Sequence, residues 1–185
     1  MQGVTIMRRS WVAAVAALAV AIPVYAALKE GTKAPDFTTD ASKAGQQFKF
    51  SLSDALKKGP VVLYFYPKAF TKICTVEAHD FAEATPKFQQ LGATVIGVSH
   101  DSIATLKEFS TKECRNKFAV ASDPDGSIMK AYDAVLDPQY SNRISYVIAP
   151  TGEIIYTYTD MQNPEAHVAN TLAAVKKYQD AHKKS

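Results

Sequence analysis

Two cysteines, Cys74 and Cys114, are the residues of this 185-residue chain most able to do chemistry. A thiolate is a nucleophile, a soft metal ligand and half of a disulfide, so the surroundings must select among these. Neither cysteine sits in a C-x-x-C pair, and their spacing does not resemble a zinc knuckle. A Cys-x-x-x-Cys copper site is also lacking, because its second position is Ala78. In an oxidising compartment two such thiols form either a structural disulfide or a redox-cycling pair.

The surroundings of Cys74 are the more informative. Val61–Tyr66 is an unbroken apolar run, β-branched and aromatic, too short for a helix, which predicts a strand buried on both faces. Pro67 cannot continue a central strand. Thr71 can cap a following helix, whose inward face is spelled by Ala78, Phe81, Thr85, Phe88 and Leu91. Cys74 then falls in the first turn, where free N–H groups and the positive end of the helix dipole favour an anion. A buried structural cysteine on the helix's inner face fits the same spacing.

Other elements follow from similar patterns. Gly31–Thr39 reads as an irregular lead into a short strand, Gln47–Leu52 as a strand, and Ser53–Lys58 as a short helix or turn closed by Gly59-Pro60. Pro86 is expected to bend the Cys74 helix and Gly92 to end it. A second buried strand is expected at Ala93–Ser99 and a helix at Ser102–Cys114, striped by Ile103, Leu106 and Phe109. Phe118–Ser122 is extended, Asp123–Gly126 a turn, and a short helix runs to Tyr132. Ile144–Ala149 and Ile154–Thr159 form a hairpin, and Glu165–Ala181 a closing helix with Val168, Leu172, Val175 and Tyr178 inward. The order predicts an α/β fold, a central mixed β-sheet with helices on both faces. Val61–Tyr66 then lies near the middle of the sheet, and function belongs in the loop after it.

Residues 1–26 read as a cleaved signal peptide, since Arg8 and Arg9 precede the apolar run Trp11–Val24 and Val24-Tyr25-Ala26 fits the cleavage rule. Met7 is an alternative start. Residues 27–185 would then be one domain of an exported protein, without stable membrane association. The net charge of +3 leaves no basic stripe apart from the Lys176–Lys184 region, which argues against a nucleic-acid partner.

With Pro67, Thr71 and Cys74 in place, the chain resembles a peroxiredoxin, whose signature is Pro-x-x-x-Thr-x-x-Cys after a central strand. Ala34-Pro35-Asp36-Phe37, Ser122–Gly126 and Arg143–Ile148 extend the resemblance in order along the chain. Tyr66-Pro67 with Cys74, Thr75 and Glu77 is most similar to the bacterioferritin comigratory protein subgroup.

The resemblance implies a thioredoxin-like fold and a peroxidase reducing hydrogen peroxide and organic hydroperoxides, recycled by a thioredoxin-like reductant. Cys74 would attack the O–O bond and become a sulfenic acid. Thr71 would hydrogen-bond the thiolate and peroxide, Pro67 would shield the sulfur, and Arg143 would stabilise thiolate and leaving oxygen. Many subgroup members carry a resolving cysteine five residues after the first, where this chain has His79. Cys114 resembles the other arrangement, a resolving cysteine on a later helix, at the border of an apolar stripe and reachable from outside. The alternative for Cys114 is a bystander, with an external thiol completing the cycle. His79 points roughly 140° away from Cys74 around the helix. Glu77 reads equally as a partner for Arg143 or an exposed carboxylate. His100, ending a core strand, reads as structural or solvent-facing with an approach to the site as the alternative, and His167 and His182 read as surface residues. The resemblance further implies a monomer; the leader points to export into the periplasm, and no cofactor or metal is expected. Competing readings are a thiol–disulfide oxidoreductase, opposed by the missing C-x-x-C, a metallochaperone, opposed by Ala78, and a binding domain without activity.

Overall fold

The computed structural model describes residues 27–182, so the leader expected over residues 1–26 lies outside the described residues. The chain opens with β1 (Thr38–Lys43), β2 (Gln46–Ser51), α1 (Leu52–Leu56) and β3 (Val61–Phe65). Next come α2 (Lys72–Gln90), β4 (Thr94–Ser99), α3 (Ile103–Lys112), β5 (Ala119–Ser122) and α4 (Ser127–Ala131). A small ladder of β6 (Val135–Asp137) and β7 (Tyr140–Ser141) precedes β8 (Ile144–Ile148), β9 (Ile154–Thr159) and α5 (Pro164–His182).

Seven strands make one mixed sheet in the order β2-β1-β5-β4-β3-β8-β9. β3 pairs parallel with β4 and antiparallel with β8. Every residue of β3 is buried because each of its faces meets a different core. Val62, Tyr64 and the following Tyr66 point to the side of α2, α3 and α5, while Val61, Leu63 and Phe65 point to the side of α1 and α4. Tyr64 lies opposite Gly97 of β4, and a Cβ there would come within 2.7 Å of the tyrosine ring. The glycine makes room for that ring, which stacks on Phe81 of α2 at 4.3 Å between centroids. Such a pair contributes about 0.5–1.5 kcal/mol beyond its buried area. It locks α2, and with it Cys74, over the end of the central strand.

The expected architecture holds, with local differences. β1 runs well past the short strand expected near Thr39, because Ala44 and Gly45 at φ 52° and 76° form a two-residue turn pairing Lys43 with Gln46. α2 runs through Pro86 and ends at Gln90, with Gly92 left-handed just beyond. α3 stops at Lys112, so Cys114 lies in the turn after it rather than on the helix.

His167, expected on the surface, is fully buried. Its Nε2 contacts the Asp160 carbonyl at 2.8 Å and its Nδ1 the Ser145 hydroxyl at 2.8 Å. A carbonyl only accepts, so Nε2 carries the proton and Nδ1 accepts from Ser145.

Candidate active site

The loop from Pro67 to Thr71 delivers the chain from β3 to α2, and side chains from other elements brace it. Asp101 Oδ2 accepts the Ala69 N–H at 2.8 Å and the Ser99 hydroxyl at 2.8 Å. Phe70 takes φ 63°, a conformation few L side chains adopt, and rests edge-on against Phe109 at 5.2 Å. Pro67 is half-buried directly after Tyr66. Thr71 occupies the N-cap position and is exposed, but its hydroxyl donates to the Lys68 carbonyl at 3.0 Å instead of capping the helix. With α2 starting at Lys72, Cys74 is its third residue, in the first turn as the spacing predicts.

Arg143 comes from across the sheet. It immediately precedes β8, the antiparallel neighbour of β3, and Ser141 Oγ donates to the Tyr66 carbonyl at 2.7 Å, tying this segment to the Pro67 loop. The Arg143 N–H donates to Asn142 Oδ1 at 2.8 Å and its Nε to the Met161 carbonyl at 3.3 Å. So anchored, the guanidinium donates through Nη2 to Cys74 Sγ at 3.3 Å and through Nη1 to Glu77 Oε2. Cys74 is 3% exposed, Arg143 2% and Glu77 0%.

One cation here serves two acids. Burial pushes the Glu77 carboxyl up to about 8, against the opposing pull of the Arg143 charge. Arg143 remains protonated, held up by Glu77 and Cys74 although burial opposes it. The fixed fork presents a permanent positive charge and N–H donors beside the sulfur, in a pocket nearly closed to water. Such a site stabilises a thiolate and any oxygen that gains negative charge next to it.

Cys114 belongs to the same buried cluster as Cys74, Tyr64, Tyr66, Phe109 and Phe118, and both cysteines are free thiols. It is not reachable at the border of a helix stripe, as expected, but 0% exposed. Burial and, secondarily, Glu113 push its thiol well above the ordinary range. His79 is turned to the Cys114 side, with Nε2 2.7 Å from Glu113 Oε2. His100 is half-buried near the Pro67 loop and His182 is exposed. Among the described residues no cluster of three or more His, Cys, Asp or Glu side chains could hold a metal.

Residues 31–157 match the AhpC/TSA family. The chain belongs to that family. It is 34% identical over 147 residues to the chloroplastic peroxiredoxin Q of Oryza sativa subsp. japonica, covering 78% of this chain and 65% of that one. It is 30% identical over 123 residues to peroxiredoxin Bcp of Xanthomonas campestris pv. campestris, covering 63% of this chain and 76% of the relative. The crystal structure of peroxidoxin BcpB from Mycobacterium tuberculosis superposes with a TM-score of 0.74 at 26% identity, covering 81% of this chain and 97% of that chain. The chain thus spans just under two thirds of the length of the rice relative. The peroxiredoxin resemblance carried by Pro67, Thr71 and Cys74 is borne out, and the fold is thioredoxin-like.

In this AhpC/TSA chain the residue that sequence reasoning left out is Glu77. Its signal was the three-residue step from Cys74, which places both side chains on one helix face. Its partner is 66 residues away in the chain, so local pattern alone could not separate it from an exposed carboxylate.

Proposed function

We propose that this protein is a thiol peroxidase in which Cys74 reduces hydrogen peroxide and organic hydroperoxides. The observation that carries this reading is the Arg143 Nη2–Cys74 Sγ contact of 3.3 Å, made by a guanidinium anchored on its other donors. The Cys74 thiolate attacks the near oxygen of the peroxide, an S–O bond forms and the O–O bond breaks. Sulfur ends as sulfenic acid, and the leaving hydroxide or alkoxide takes up a proton to give water or an alcohol. Negative charge passes from sulfur to the far oxygen during this step. A donor array already in place stabilises it without reorganising. A proton on the Glu77 carboxyl leaves the Arg143 charge to the reacting atoms. In this reading Thr71, at the start of the Cys74 helix, supplies a hydroxyl to the thiolate and peroxide, and Pro67 shields the sulfur from water; the AhpC/TSA family match supports both roles.

Cys114 is the resolving thiol in this reading. Its sulfur displaces the sulfenic oxygen, an S–S bond forms, the S–O bond breaks, and water leaves with the Cys114 proton. A thioredoxin-like dithiol then reduces the disulfide, and antioxidant defence is the physiological role. Removal of residues 1–26 would deliver residues 27–185 as an exported, periplasmic monomer; the basic n-region and apolar run of the leader support this.

Treatment with one equivalent of peroxide, alkylation of remaining thiols and peptide mass spectrometry test the pairing. The expected product is a Cys74–Cys114 disulfide, and in Cys114→Ser a trappable Cys74 sulfenic acid. Peroxide consumption that leaves both cysteines alkylatable would overturn the proposal.

A further inference from the structure

Cys114 is flanked in sequence by two residues that reach across to the same helix. Glu113 pairs with His79 at 2.7 Å and Arg115 pairs with Glu83 at 3.0 Å. His79 and Glu83 are one turn apart on α2, so the two pairs form consecutive rungs and Cys114 lies between their feet. These rungs matter because α2 packs mainly on α5, whereas α3, which leads into the Cys114 turn, packs mainly on β1 and β5.

The turn itself is under tension. Arg115 and Asn116 take φ 49° and 62°, successive left-handed residues without a glycine. Among the described residues its backbone is tied to α3 by Cys114 N–H to the Phe109 carbonyl at 3.0 Å and Asn116 N–H to the Ser110 carbonyl at 3.1 Å, and within the turn by Lys117 N–H to the Cys114 carbonyl at 2.9 Å. Tucked inside, the Cys114 sulfur is fully buried and held as an unreactive thiol.

A disulfide requires Cα atoms within about 7 Å and facing Cβ vectors. Meanwhile the Cys74 sulfur faces Arg143. We propose that the His79–Glu113 and Glu83–Arg115 pairs are a latch that holds the Cys114 turn shut against α2, and that its release sets the rate of disulfide closure. The inference rests on the reading of Cys114 as the resolving thiol. His79, at the place where many subgroup members carry that thiol, here acts as a positioning residue for its replacement. The latch thereby also sets how long the sulfenic acid persists, and so how readily a second peroxide drives it to sulfinic acid.

The test measures disulfide closure after a peroxide pulse, by quenched alkylation, in the wild type, His79→Ala/Glu83→Ala and Arg115→Gln. Closure in the double variant is expected to be about three- to tenfold faster, the effect of removing one exposed ion pair and one partly exposed His–Glu hydrogen bond. The peroxide concentration giving half-maximal sulfinic acid should rise in proportion. The exchanged pair Glu83→Arg/Arg115→Glu should bring closure back toward the wild-type rate, a rescue that a purely structural role would not produce. Unchanged or slower closure in both the double variant and Arg115→Gln overturns the latch while leaving Cys114 as the resolving thiol. Absence of any Cys74–Cys114 link in the wild type overturns the resolving role itself, and the latch with it.

Discussion

Arg143→Ala should slow the oxidation of Cys74 by hydrogen peroxide about 10²–10³-fold, the usual consequence of losing one preorganised donor to a developing oxyanion. The same change strips a buried carboxyl of its partner. Leaving one member of a buried pair alone costs about 3–5 kcal/mol when the charge stays. Glu77 is already pushed up to about 8, so it can take up a proton and bring that loss to the lower end. Arg143→Lys separates the two effects. An ammonium keeps the charge but cannot span Glu77 and Cys74 with a planar fork, so stability should be largely retained while the rate stays low. Rapid-mixing peroxide kinetics alongside urea unfolding check both halves. A rate within threefold of the wild type in folded Arg143→Ala would remove the guanidinium from the chemistry.

The second large effect is on stability at acid pH. Burial lowers His167 to about 4, well below the ordinary value near 6.5; the Arg143 charge adds to this and the hydrogen bond to the Asp160 carbonyl opposes it. Between those two pH values the unfolded chain binds the proton and the folded chain does not. The contribution is therefore complete above about 6.5 and is lost as pH falls toward 4, up to about 3 kcal/mol. Glu77 tilts the profile in the opposite sense: raised from 4.5 to about 8, it favours the folded state at low pH and ceases to do so as pH rises through that range. The informative quantity is therefore the difference between the wild type and His167→Gln in urea unfolding across pH 7 to 4. The wild type should lose more stability on acidification than the variant; parallel profiles would show that His167 titrates alike in both states.

β3 and the first turn of α2 were legible because their signals are local: an uninterrupted apolar run, a proline, a capping residue and a helical stripe starting at Cys74. Arg143 was legible only through its order relative to that motif, since an arginine before an apolar strand is otherwise unremarkable. The residues left open or misread have partners that no window contains. Glu77 is buried by a guanidinium delivered from the far side of β3, and His167 by a serine on β8 and a carbonyl before α5. Cys114 was expected at a reachable helix border, but α3 ends two residues before it and the left-handed turn at Arg115 and Asn116 folds the thiol inward.

Everything proposed for this site returns to a single sulfur beside a fixed cation. The most direct measurement is peroxide consumption under an excess of thiol reductant by Cys74→Ser, with Cys114 intact and folding verified by circular dichroism. Turnover is predicted to fall to the level of reductant and peroxide alone. Turnover that continues at a comparable rate without Cys74 would contradict the account.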